Sequence, residues 1–221
     1  MSSTTPAPRL PAWIPIRSLS ARHGAQLLAH LLGLSERDRY LRFGYAANDE
    51  QIERYVRSID FDRDGVFGVF NRRLELIATA HLAYMPPAAD SGERTAEFGV
   101  SVLDKARGRG LGAHLFRHAM LHARNRQVAV LFIHALSENT AMLKIARGAG
   151  ATVERDGPES QAWLRLPAET LASRLDEIMD DQVAEFDYRW KVQAHRFGQA
   201  LGLWSDVNAF TRRTESFDRL V

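Results

Sequence analysis

Apolar residues fall into blocks whose spacing changes along the chain. Leu27, Leu28, Leu31 and Leu32 recur at helical spacing after Ser20, which predicts a helix capped by that serine. Ser35 with Asp38 predicts a short helix through Leu41. Asn48 with Gln51 opens another, with Ile52, Tyr55, Val56 and Ile59 on one side. "GVFGVF" and "LELIATAHLAY" are strand-like runs separated by the turn "NRR", a hairpin pattern. "TAEFGVSVL" is the next strand, and Leu111 to Arg126 reads as a helix with Leu115, Phe116, Ala119 and Ala123 inward. "VAVLFIHAL" is continuously apolar, as expected of a strand buried on both faces. Asn139 to Gly148 is helical, and "ATVERD" and "QAWLRLP" close the series as a hairpin. Near the start, "AWIPIRSL" alternates weakly and reads as a first strand, with Pro15 suited to a strand end or edge.

The resulting order is β, helices, β-hairpin, β, α, β, α, ββ. It predicts an α+β (mixed α/β) fold, with a mostly antiparallel sheet and a parallel βαβ step at its centre. Residues 1–11 are rich in Ser, Thr and Pro and are expected to form a disordered tail, which places the domain at 12–167. From 168 to 221 the character changes. Leu171, Leu175, Val183, Phe186, Trp190, Phe197, Leu201 and Trp204 mark a helical extension, either continuous or broken near Gly198 and Gly202. Its aromatic stripe leads us to expect a homodimer formed through this helix. Its opposite face, with Asp176, Glu177, Asp180, Asp181, Glu185 and Asp187, reads as solvated, or as a surface that steers a cationic acceptor.

Composition narrows the chemistry. The 221 residues include no cysteine, which excludes disulfides, thiolate metal sites and a cysteine nucleophile, and suits a reducing compartment. Charges are balanced at 29 basic against 27 acidic residues, unlike a nucleic-acid footprint. No apolar run reaches the roughly 20 residues of a membrane span, and the first residues lack the apolar core of a leader. A cytoplasmic protein with no membrane or nucleic-acid partner is expected.

The chemistry concentrates at the junction between the strand ending in "VSVL" and the helix opening at Leu111. Arg107-Gly108-Arg109-Gly110-Leu111-Gly112 places interleaved arginines and glycines where a helix begins. Backbone N–H groups can converge there on an anion, the helix dipole favours its charge, and Arg107 and Arg109 can add charge-assisted bonds. Gly108, Gly110 and Ala113 also satisfy the G-x-G-x-x-A dinucleotide pattern. The context opposes that reading: about a hundred residues precede the motif, and Ala135 and Leu136 stand where a ribose-binding acid belongs.

The turn fits R/Q-x-x-G-x-G/A, "AEFGVSVLD" lies just upstream, and Asn139 to Gly150 fits N-x(10)-G. In these segments and in its element order the chain resembles the GNAT superfamily of acyl-CoA-dependent N-acyltransferases. "RYLRFG", Arg39 to Gly44, is similar to a segment of the bacterial protein lysine acetyltransferase type. The resemblance implies a GNAT-like fold with a splayed parallel strand pair and acetyl-CoA as co-substrate. It implies direct acyl transfer to a primary amine, either a small molecule or a protein lysine. It assigns cofactor contacts to Val100, Ser101 and Val102 on the strand, to Arg107, Gly108, Arg109, Gly110, Leu111, Gly112 and Ala113 at the turn, and to Asn139. Asn139 is equally suited to cap its helix.

Glu97, Gly99 and Ser101 share one strand face, and the small neighbours leave room beside Glu97, the best candidate for the base. Many members of the superfamily carry a tyrosine acid where this chain has Ala146, with Tyr40, Tyr45, Tyr55 and Tyr84 as other tyrosines. An acyl-CoA-binding module that has lost catalysis is the alternative. His114, His118 and His122 follow one another at i, i+4, i+8. They read as surface histidines, and no metal is expected.

Overall fold

The computed structural model describes residues 14–86 and 92–167. The expected N-terminal tail, the helical extension and its dimer contact lie outside the described residues. In chain order come β1 (Arg17–Ser18), a 3-10 turn (Ala21–His23), α1 (Gly24–Leu32), α2 (Glu36–Phe43), α3 (Asp49–Ser58), β2 (Gly65–Phe70), β3 (Leu76–Tyr84) and β4 (Thr95–Val102). A second 3-10 turn (Asp104–Ala106) precedes α4 (Leu111–Asn125), β5 (Val130–Leu136), α5 (Thr140–Gly148), β6 (Thr152–Asp156) and β7 (Glu159–Arg165).

The helix starts follow local chemistry. Ser35 accepts the Asp38 N–H, and Asn48 and Gln51 form a reciprocal capping box. Gly44 closes α2 in the left-handed region at φ 80°.

The strands form one sheet in the order β1-β2-β3-β4-β5-β7-β6. Every neighbouring pair is antiparallel except β4 and β5, the parallel step expected from the β-α-β pattern. Hydrophobic layers lie on both faces. On one, Phe67, Leu82, Phe98, Leu131 and Ile133 pack against Leu115, Phe116, Ala119 and Ala123 of α4 and Leu143 of α5. On the other, Val66, Phe70 and Leu76 meet Leu27 and Leu31 of α1 and Ile52 and Val56 of α3. Because strand side chains alternate, β2 feeds both layers from successive residues.

Three expectations need correction. The first strand shrinks to Arg17–Ser18, following a proline that cannot donate to a ladder. β5 is not buried on both faces: Leu131, Ile133 and Ala135 are buried, but His134 is exposed on the face left uncovered beside the α1–α3 layer. His118 and His122 are not surface residues. Both are buried edge-on against the Phe67 ring, with centroids 4.7 and 4.9 Å away, so they serve as aromatic packing groups of α4.

Candidate active site

The parallel pair at the centre of the sheet is paired only at one end. Thr95, Ala96 and Glu97 are in register with Val130, Leu131 and Phe132, and beyond them β4 continues beside β3 alone. Met85 donates to the Thr95 carbonyl and Leu103 to that of Ile77. Antiparallel alternation therefore turns the main-chain groups of Gly99 and Ser101 toward β3, and those of Phe98, Val100 and Val102 toward the gap. Of the three strand residues expected to meet a cofactor, Val100 and Val102 offer backbone groups to the gap. Ser101 does not, and its buried hydroxyl donates instead to His30 Nε2 of α1 at 2.8 Å.

At the far end of β4 the chain passes through the 3-10 turn to the glycine- and arginine-rich turn, Arg107 to Gly112. Gly108 and Gly110 both have φ 73°, a conformation that strains any residue with a Cβ. Gly110 is the N-cap of the 15-residue α4. The N–H groups of Leu111, Gly112 and Ala113 precede the first intrahelical bond, His114 N–H to Gly110 O, and so remain free for an anion. The buried Leu111 side chain anchors the turn to the core, and Gly112 lets α4 approach Ile145 of α5 and Val102. The arginines differ from one another. Arg107 is held by the buried Asp38 and, at 2.9 Å, by Asp104. Arg109 has no ion pair or hydrogen bond with a described residue and is exposed, so it is the cation left free at the turn.

Asn139 is the N-cap of α5. Its Oδ1 accepts the Met142 N–H at 3.1 Å, and its Nδ2 donates to the Leu41 carbonyl of α2 at 3.3 Å. It therefore caps its helix and also ties α2 across the mouth of the gap. Arg37 and Glu138 form an ion pair across the same junction.

A cleft of about 210 Å³ lies over the divergence of β4 and β5, lined by Arg42 and Phe43 of α2, Tyr55 of α3, His81 of β3, Glu97 and Gly99 of β4, and Asn139 among others. Glu97 is exposed in this cleft and forms no ion pair with a described residue. Beside it runs a connected polar chain. Asp64, just ahead of β2, has its carboxylate buried. It accepts from His81 Nε2 at 3.1 Å, from the Tyr84 N–H at 3.3 Å and from Arg63. His81 Nδ1 then accepts the Tyr55 hydroxyl at 2.8 Å, and the Tyr55 oxygen accepts from Arg42 Nη2 at 2.7 Å. Burial pushes the His81 pKa below its ordinary value despite Asp64, which keeps the ring neutral as this pattern requires. Burial pushes the Tyr55 hydroxyl up, against the Arg42 charge.

A family model for the acetyltransferase (GNAT) family matches residues 24–151. The chain belongs to this family. It is an acyltransferase enzyme of the GNAT type, and its mixed sheet with one parallel pair is the GNAT fold. No functionally curated protein matches it in sequence. Among solved structures it is similar to the GNAT domain of S. lividans PAT (23% identity over 68% of this chain and 89% of that one, TM-score 0.57). It is also similar to ribosomal-protein-alanine N-acetyltransferase from Brucella melitensis (20% identity, 68% and 99% coverage, TM-score 0.51). A third is yncA from Salmonella typhimurium, solved with its cofactor acetyl-CoA (15% identity, 72% and 97% coverage, TM-score 0.52).

Of the sequence-level candidates, the fold places Glu97 and Asn139 around one cleft and gathers Val102, Arg107 to Ala113 and the α4 terminus at the adjoining end of β4. The buried Ala146 lies outside the cleft lining, and of the four tyrosines considered only Tyr55 reaches it. Arg42, Asp64 and His81 went unrecognised in the sequence. His81 carried a signal: it falls on the polar register of β3 with Thr79, opposite Ala78, Ala80 and Leu82, and pairs with Gly99. Arg42 stood inside the Arg39–Gly44 segment but carried no sign of a site role, and Asp64 carried none, because their positions depend on how the α1–α3 layer sits on the sheet. Among the described residues no group of His, Asp or Glu forms a metal-ligand set, and no helix is long and apolar enough to cross a membrane.

Proposed function

We propose that this GNAT enzyme transfers the acetyl group of acetyl-CoA directly to a primary amine, with Glu97 as the proton acceptor. The observation that carries the reading is the join between the open edge of β4 and the α4 N-terminus: one groove presents free main-chain groups at one end and a glycine-lined helix start at the other. The residues suit acetyl-CoA. Leu111, Gly112 and Ala113 offer N–H groups and Arg109 a cation to a diphosphate, while Val100 and Val102 offer sheet-like bonds to an extended amide arm. When bound, the thioester supplies the activated acetyl group.

The rest of the chemistry falls to the side chains of the cleft. An alkylamine has a pKa near about 10.4 and must lose a proton to attack. The amine nitrogen bonds to the acetyl carbon, the carbon–sulfur bond breaks with its electron pair leaving on the CoA sulfur, the amine proton passes to the Glu97 carboxylate directly or through water, and the departing thiolate is neutralised by a proton from solvent. Glu97 fits this role because it is exposed at the cleft floor and not engaged with a cation. The acceptor, a small amine or a protein lysine, enters from the side of α2 and α3.

Glu97→Gln tests the assignment. It keeps the size of the side chain but cannot take the proton, so kcat should fall about 10²–10⁴-fold while acetyl-CoA affinity holds. Full kcat with an unchanged pH–rate profile in the Gln variant would remove Glu97 from the mechanism.

A further inference from the structure

Arg42 is the cation of the cleft, and three observations describe how it is held. Its Nη2 donates to Tyr55, whose own proton goes to His81, which Asp64 in turn fixes from behind. The guanidinium lies 5.2 Å from the Phe43 ring centroid and 5.4 Å from that of Tyr55, so two aromatic faces support it. Beneath it is Gly99: a Cβ there would stand 2.6 Å from Cζ and 2.7 Å from Nη1, so only glycine lets the guanidinium settle on the strand. The group is thus pre-positioned by Tyr55, Phe43 and Gly99, with the His81–Asp64 pair holding Tyr55 in place.

Nothing among the described residues neutralises it. Arg42 forms no ion pair, although its charge is felt at His30, Tyr55 and His81. Glu97 lies two residues along the same face of β4 from Gly99, about 6.6–6.8 Å away at strand spacing. The cleft therefore holds a positive and a negative pole side by side and unpaired. A partly buried, fixed guanidinium with no carboxylate bonded to it is costly unless a ligand supplies one. A planar carboxylate is an anion whose geometry matches the guanidinium fork, and it is smaller than a phosphate. At about 210 Å³ the cleft falls below the ~300–1,000 Å³ of sites for drug-sized ligands.

We infer that the acceptor is a small amino-acid-like amine, with its carboxylate on Arg42 and its nitrogen toward Glu97. The inference rests on the acetyl-transfer reading above and narrows its acceptor from any primary amine to one carrying a carboxylate a few bonds from the nitrogen. A lysine side chain within a protein lacks that group.

The test follows CoA release from acetyl-CoA by the full-length enzyme with matched acceptors: free amino acids, their carboxamides and their decarboxylated amines, alongside a lysine-containing peptide. The carboxylate member of at least one set should lead by about a hundredfold in kcat/KM. Arg42→Met should erase that lead while acetyl-CoA binding, read by calorimetry, stays within twofold. Gly99→Ala, which keeps the arginine but displaces it by about 1 Å, should lower the same kcat/KM by about 10²-fold if fixed geometry is what counts, and it covers the case in which Arg42→Met does not fold. Equal or better turnover of decarboxylated amines or of the peptide, or an amino-acid preference that survives both variants, overturns the inference and leaves acetyl transfer standing. No turnover with any amine, together with no binding of acetyl-CoA, overturns the acetyl-transfer reading itself.

Discussion

His30, bonded to β4, makes the stability of the domain depend on pH. It is buried between α1 and the sheet, where Nδ1–H donates to the Leu76 carbonyl and the bare Nε2 accepts from Ser101 on β4, both at 2.8 Å. Burial lowers its pKa from 6.5 to about 4. The Arg42 charge adds to the depression, and the Leu76 bond opposes it. Between those two values the unfolded chain binds a proton that the folded chain refuses, so stability is present above pH 6.5 and falls as the pH drops toward 4. Linkage puts the loss at about 0.2 kcal/mol at pH 7, about 2.5 kcal/mol at pH 4.5 and about 3 kcal/mol at pH 4. That is a large fraction of the ~5–15 kcal/mol that holds a domain together. Urea unfolding of the wild type and of His30→Gln, which keeps a donor and an acceptor, should be measured from pH 7 to pH 4.5. The stability advantage of the wild type should shrink by about 2.3 kcal/mol across that range, because all other titrating groups, His81 included, are common to both proteins. A difference that stays constant with pH would mean that His30 is not held neutral by burial, and the reasoning would fail.

Two further outcomes concern the groove. Gly110→Asp forces a side chain into a left-handed position and sets a negative charge at the α4 N-terminus; calorimetry should show acetyl-CoA binding at least tenfold weaker, about 1.4 kcal/mol, in a folded variant. Asn139→Ala removes the α5 cap and the tie to Leu41, so thermal unfolding should report a loss of about 1 kcal/mol; an unchanged stability with weakened acetyl-CoA binding would instead make Asn139 a ligand.

Much of this protein is local and was legible in the chain itself. The caps at Ser35 and Asn48 depend on contacts three residues apart, and they start the helices where the pattern put them. The glycine and arginine turn before α4 was legible because a helix start and two left-handed glycines are short-range features. Period-2 alternation put Glu97, Gly99 and Ser101 on one face of β4. The remainder was decided by elements far apart in sequence. Where β4 and β5 part is set by how far two strands about 30 residues apart remain in register, which no single segment encodes. Arg107 seemed free for an anion, but a helix some 70 residues earlier brings Asp38 to it. The chain from Asp64 through His81 and Tyr55 to Arg42 joins a loop, a strand and two helices. In the sequence Tyr55 reads only as part of an apolar helix face, because the hydroxyl that reaches the cleft is invisible until α3 is laid on the sheet. Local hydrogen bonds and periodicity fix the pieces. The charges left unpaired in the cleft, on which the choice of acceptor rests, exist only once burial and packing have chosen every other partner.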